Sequence, residues 1–135
     1  MDFGKLGENS GRDCPFCKAI RSSKIPLEND YAYAILDSHP VTEGHTLVIP
    51  KRHIADYFEI SEDERRAIDE LLRIRRKQLL EEDSSISGFN IGVNCGESAG
   101  QTIFHVHVHL IPRRSGDISR PKGGVRGVIP DKKDY

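Results

Sequence analysis

Apolar and polar residues alternate most regularly where His105-Val106-His107-Val108-His109 runs into Leu110 and Ile111. A repeat of two is a strand signature, because successive side chains on a strand point to opposite faces. The phase predicts a strand over 104–111, with Val106, Val108 and Leu110 in the core. His105, His107 and His109 then share the other face, each about 6.6 Å from the next. Further apolar runs predict a hairpin (25–27 and 31–36, joined at Glu28-Asn29-Asp30) and strands over 45–49, stopped by Pro50, and 88–93. The repeat changes to a helical one over 62–82, where Ile68, Leu71, Leu72 and Leu79 make a buried stripe. Ser61 and Glu64 form a capping box at its start, and acidic residues crowd its first turn. Cys14-Pro15-Phe16-Cys17 opens a short helical turn running to Arg21. Antiparallel strands around one long helix define an α+β domain.

Composition narrows the classes. The 135 residues fit a single domain spanning 1–135, with 1–12 polar and expected to be flexible. The net charge of −1 gives no reason to expect nucleic acid, and no apolar run approaches membrane-spanning length. Charge is uneven: residues 1–112 carry 13 basic and 18 acidic side chains, whereas 113–135 carry seven and three. That basic tail could help hold an anionic substrate or simply be solvated. The basic residues of the long helix, Arg73, Arg75, Arg76 and Lys77, read most simply as a solvated face. Three cysteines make a poor disulfide framework, and no signal-peptide pattern opens the chain, so a cytoplasmic location is expected.

Three imidazoles in a row offer packing little and chemistry much: nucleophile, proton carrier or metal ligand. Just before them, residues 94–102 deliver Asn94, Gly96, Gly100, Gln101 and Thr102, a loop able to aim backbone amides and side-chain donors at an oxyanion. A nucleotide P-loop motif is absent, as is a carboxylate cluster for paired magnesium ions. Phosphate chemistry here would therefore rest on imidazoles, amides and hydroxyls. Two alternatives stay open: a hydrolase using the strand histidines as catalytic zinc ligands, and a non-catalytic purine-nucleotide-binding protein. Cys14-x-x-Cys17 is half a zinc site that His53 and a strand histidine could complete, although an unmetallated pair of thiols fits as well. Cys95 needs no role. His39 reads as structural or exposed, and His45 heads a strand that could meet the site.

Gly100-Gln101-Thr102-Ile103-Phe104-His105-Val106-His107-Val108-His109-Leu110-Ile111-Pro112-Arg113 resembles the signature of the histidine-triad (HIT) nucleotide hydrolases and transferases. Asp37 through His45 and Leu47 through His53 extend the likeness over most of the chain. The resemblance implies a five-stranded antiparallel sheet with one long helix and a short N-terminal helix, extended across a homodimer. It implies cleavage at the α-phosphate of adenylated compounds, dinucleoside polyphosphates or nucleoside phosphoramidates, through a nucleotidyl-histidine and without a catalytic metal. By position His107 is the nucleophile, with His109, His45 and Thr102 beside it. Asp37 and Ser38 meet the ribose, and Asn94, Gly100, Gln101, Thr102 and Ile103 line the phosphate. Phe16, Ile20, Ile35 and Leu36 are candidates for a wall of the purine pocket. Cys14, Cys17, His53 and His105 correspond to a structural zinc site of microbial members. Many of those members have tryptophan where this chain has Gly127.

Overall fold

The computed structural model describes residues 13–20 and 27–135. The stretch 1–12, residue 21 of the first helical turn and strand positions 25–26 lie outside those residues. In chain order the elements are α1 (Pro15–Ile20), β1 (Leu27–Glu28), β2 (Ala32–Leu36), β3 (Thr46–Pro50), α2 (Glu62–Glu82), β4 (Ile86–Val93) and β5 (Val108–Arg114). The strands make one sheet in the order β1-β2-β3-β5-β4, with every neighbouring pair antiparallel. This is the α+β architecture expected, with one long helix and one short one.

The capping box forms as the sequence requires. Ser61 Oγ accepts the Glu64 N–H at 3.0 Å, and the Glu64 carboxylate accepts the Ser61 N–H at 2.8 Å. Arg52 adds Nε and Nη2 to that carboxylate at 3.0 and 2.7 Å. Glu64 can therefore be buried and still ionised; the Arg52 hydrogen bond holds its carboxyl below the ordinary range. From this start α2 lays Ala67, Ile68 and Leu71 onto Ala32, Ala34, Val48 and Val108, while Leu79 meets Ile86 and Leu110. Leu72, expected in the stripe, packs there half-buried.

The helix covers only one face of the sheet. On the opposite face Tyr33, Leu47 and Ile49 pack with Cys14, Phe16 and Cys17, so α1 covers one end of that face. Six residues are too few to hold a helix on their own; its anchoring comes from these contacts.

Two strand boundaries differ from expectation for one physical reason. β3 includes Pro50, and β5 begins at Val108 rather than 104 but continues through Pro112 to Arg114. The last β3–β5 pair is Val48 with Val108. Upstream of it, the Pro50 carbonyl takes the His105 Nε2–H at 2.7 Å, and the Val106 N–H goes to Ile54 O at 2.7 Å. A side-chain hydrogen bond and a loop thus replace the ladder. Pro112 lies past the Thr46–Leu110 end of the β3 ladder, where a missing N–H breaks no bond. The side-chain phase survives: Val106, Val108 and Leu110 are all buried.

Candidate active site and metal centre

His107, His109 and His45 meet on the sheet face that α2 leaves uncovered. The His107 and His109 rings lie 5.3 Å apart, and those of His45 and His109 5.1 Å. Their partners assign the protons. His107 Nδ1 sits 2.9 Å from the His105 carbonyl oxygen, which can only accept, so Nδ1 carries the hydrogen and Nε2 keeps a lone pair. His45 Nδ1 accepts the Val41 N–H at 3.2 Å, which places its hydrogen on Nε2. That Nε2–H points to His109 Nδ1 at 2.9 Å, with Asp37 Oδ2 3.4 Å away. His109 therefore offers Nε2–H outward. The face presents a lone pair on His107 beside a donor on His109.

These rings are held neutral. Burial pushes all three below the ordinary value of 6.5; His109 falls to about 4, with the His107 and His45 rings adding to the effect. Asp37 pulls the other way without winning. Its Oδ1 accepts the His39 N–H at 2.8 Å, which fixes the carboxylate at the mouth of the site. Ser38 lies beside it, exposed, with Oγ 3.1 Å from His39 Nδ1.

The loop before β5 is braced from behind. Gln101, nearly fully buried, donates through Nε2 to Ala55 O at 2.9 Å and accepts the Gly96 N–H at 2.8 Å. Its side chain closes the loop. Gly100, at φ +94°, ends the 3-10 turn Glu97–Ala99 in a left-handed conformation that a residue with a Cβ adopts only under strain. Thr102 is left exposed, Ile103 half-buried, and Asn94 lines a recess that also reaches His45 and His109.

A second centre lies under α1. One ligand atom each of Cys14, Cys17, His53 and His105 falls within 4.8 Å of all the others. Cys14 Sγ and Cys17 Sγ lie 3.4 and 3.5 Å from His105 Nδ1, and Cys17 Sγ lies 3.3 Å from His53 Nδ1. A tetrahedral zinc with ordinary Zn–S and Zn–N bonds separates its sulfur and nitrogen ligands by about 3.5 Å, so the four residues fit that metal. The Pro50 carbonyl fixes His105 as the Nε2–H tautomer and leaves Nδ1 free to bind. The site is a closed Cys₂His₂ structural zinc site, with no open position for substrate. His105 serves it with a side chain while its carbonyl orients His107.

Other expected positions divide. Phe16 packs on His107 with ring centroids 4.9 Å apart, and Ile20 and Ile35 join the cluster around it. Leu36 does not join them: it pairs with Thr46 and lines a cleft with Arg75 and Gln78 on the α2 side of the sheet. Several of the tail's cations are engaged within the tail. Arg126 bonds the carbonyls of Lys132 and Lys133 and lies over the Tyr135 ring, and Lys133 Nζ bonds Arg120 O. Sequence reasoning missed the carbonyls of Pro50 and His105 and the Val41 N–H; main-chain groups carry no residue-type signal.

An antiparallel sheet bearing an imidazole array on one face, beside a closed Cys₂His₂ centre, defines a histidine-based α+β protein class. A HIT domain model matches residues 19–116. The "Protein hit" of Bacillus subtilis is 39% identical over 105 residues, covering 75% of this chain and 71% of that protein. The adenylylsulfatase HINT3 of Arabidopsis thaliana is 39% identical over 108 residues, covering 78% of this chain and 54% of that one. A zinc-bound histidine triad family protein from Mycobacterium smegmatis superposes with a TM-score of 0.70 at 34% identity, over 77% of each chain. The chain belongs to the HIT family. Among the described residues no helix is long and apolar enough to cross a membrane.

Proposed function

We propose that the protein hydrolyses or transfers nucleotidyl groups at the α-phosphate of adenylated substrates, dinucleoside polyphosphates or nucleoside phosphoramidates, through a covalent intermediate on His107. The observation that carries this reading is the 2.9 Å contact between His107 Nδ1 and the His105 carbonyl, which leaves Nε2 as a neutral nucleophile. Nε2 attacks phosphorus, the bond to the leaving group breaks, and its electron pair departs with that group. The imidazolium so formed keeps its Nδ1–H on the carbonyl. Water then attacks phosphorus, the P–N pair returns to Nε2, and the mononucleotide leaves. His109 Nε2–H and the amides and hydroxyl of residues 100–102 stabilise the charge on the phosphoryl oxygens. Asp37 and Ser38 meet the ribose, and Phe16 with Ile35 lines the base. The name of the Arabidopsis relative, an adenylylsulfatase, supports adenylyl substrates.

Rapid quenching during turnover, followed by intact-mass measurement, is expected to show a mononucleotide adduct that localises to His107. Turnover at full rate with no adduct at any quench time would sink the mechanism.

A metal-dependent reading has one observation behind it: Asp37, His45 and His109 also cluster as potential ligands. Yet His45 Nε2 and His109 Nδ1 stand 2.9 Å apart, hydrogen-bonded, whereas two nitrogens on a tetrahedral zinc stand about 3.3 Å apart. The neutral array also sets a pH dependence. Because burial depresses the His45 and His109 values, the competent neutral forms persist below 6.5. The acid limb of kcat/KM is expected between that value and about 4. A limb centred at 6.5 or above would contradict the geometry.

β4 is the long edge strand of the sheet, and we place the homodimer contact there, in a cytoplasmic protein.

A further inference from the structure

The zinc centre and the histidine face touch through two residues. His105 is one: its Nδ1 faces the thiols, and its carbonyl oxygen takes the His107 Nδ1–H at 2.9 Å. Phe16 is the other. It stands between Cys14 and Cys17 in the chain, and its ring lies 5.9 Å from that of His105, at right angles, and 4.9 Å from that of His107, tilted. Phe16 and His107 are both nearly fully buried, at 6% and 9% exposure. One aromatic side chain thus touches a metal ligand and the proposed nucleophile at once.

The two links differ in what holds them. His105 is fixed by the protein itself: its Nε2–H goes to Pro50 O at 2.7 Å, and the Val106 N–H goes to Ile54 O at 2.7 Å. The main-chain route to His107 therefore stays in place whatever the state of the centre. α1 depends on its side chains. It is six residues long, too short to persist alone. Its hold includes the packing of Phe16 with Tyr33, Leu47 and Ile49 and the Tyr33 hydroxyl, which donates to Phe16 O at 2.5 Å. The remaining hold is the two cysteines. Their sulfur contacts of 3.3–3.5 Å to the imidazoles are weak as hydrogen bonds, whereas bonds from those same atoms to zinc are strong enough to fold a small domain. The seat of the Phe16 ring on His107 is thus the part of the histidine face that zinc controls.

We propose that Phe16 couples the two centres: zinc seats α1, α1 sets the Phe16 ring against His107, and a nucleotide on that face meets a completed wall. Phe16 is then a positioning residue for His107. Coupling between two binding sites is reciprocal, so a nucleotide that uses the seated ring tightens zinc by the factor by which zinc tightens the nucleotide. This rests on the nucleotide reading of the histidine face and adds its control by the metal.

AMP is the probe, since it carries no leaving group to be cleaved. Its dissociation constant is measured by calorimetry on the full chain, zinc-loaded and chelator-stripped, for the parent and for Phe16→Ala. The temperature is one at which circular dichroism shows the samples folded. Stripping the parent is expected to weaken AMP about tenfold, within the usual range of such couplings. Zinc-loaded F16A is expected to lose as much, and stripping it should cost nothing further. Losses that multiply would overturn the coupling, because a Phe16 that merely fills space acts independently of zinc. So would a parent whose AMP affinity ignores zinc, or a stripped parent with no folded state at any temperature, since zinc would then act on the whole fold. Phe16→Leu repeats the cycle should alanine leave the chain unfolded, and its two losses must again combine to less than their product. Saturating AMP should in turn tighten zinc about tenfold in the parent, read against a competing chelator, and leave F16A unchanged. AMP binding without any zinc effect removes the coupling alone. No AMP binding to the zinc-loaded parent removes the nucleotide reading and the coupling with it.

Discussion

His107→Ala is expected to lower kcat/KM for any adenylated substrate by about 10⁴-fold or more, the scale at which loss of a nucleophile is felt in covalent catalysis. The size follows from the geometry. Among the described residues the only imidazole whose Nδ1 is bonded to a main-chain carbonyl is His107, and that bond leaves Nε2 unprotonated at neutral pH. His45 and His109 cannot substitute, since each has one nitrogen in the chain from Val41 and the other holding or donating a hydrogen. His109→Ala should be milder, about 10²–10³-fold, because it removes a charge-stabilising donor and not the bond-forming atom. Single-turnover rates for both variants test the order. If His107→Ala kept activity within tenfold of the parent chain, the nucleophile would have to be sought elsewhere.

Cys14→Ser with Cys17→Ser is expected to abolish zinc binding and to lower stability by about 3 kcal/mol or more. At roughly 4 °C per kcal/mol for a domain of this size, Tm drops by about 10 °C. Both thiols are buried, and two buried thiolates are costly unless a cation such as a divalent metal ion balances them. With that ion and two neutral imidazoles the centre is electrically balanced. Its loss frees α1, whose cysteines and Phe16 form one side of the cluster with Tyr33, Leu47 and Ile49. Elemental analysis should give one zinc per chain for the parent and none for the variant. A chelator should bring the parent's Tm to the variant's and leave the variant's unchanged. Equal zinc content in the two, or a parent indifferent to zinc removal, would rule out the centre. Turnover should suffer far less than in His107→Ala, since no ligand position is open to substrate.

Much of this was legible in the chain itself. The capping box at Ser61 and Glu64 marks the start of α2, and the helical repeat gives its buried stripe. Alternation at 105–110 assigns the faces of β5 because side-chain phase depends only on the backbone period. The ladder does not, and so the start of β5 was misplaced: hydrogen bonds from His105 to Pro50 and from Val106 to Ile54 replace strand pairing. Leu36 cannot share a wall with its neighbour Ile35, because successive strand side chains point to opposite faces, and it lines the cleft with Arg75 and Gln78 instead. The four zinc ligands come from three distant segments, and spacing alone could not close those loops; family likeness brought them together. Gln101 read as a phosphate donor, yet its amide faces inward, since composition cannot distinguish a donor aimed at a ligand from one bracing the loop. Charge alone left the tail open between an anion site and a solvated face; Arg126, Lys122 and Lys133 engage the Tyr135 ring and main-chain carbonyls.

The acceptor that sets the tautomer of His107 is part of the peptide backbone at His105, whereas the metal ligand at the same position is a side chain. Point mutation can erase the second and cannot erase the first. A descendant of this chain could therefore lose its metal ligand at position 105 in a single codon change and still inherit the same tautomer at His107, the proposed nucleophile. Metal ligation and the tautomer of His107 are separable traits at that one residue.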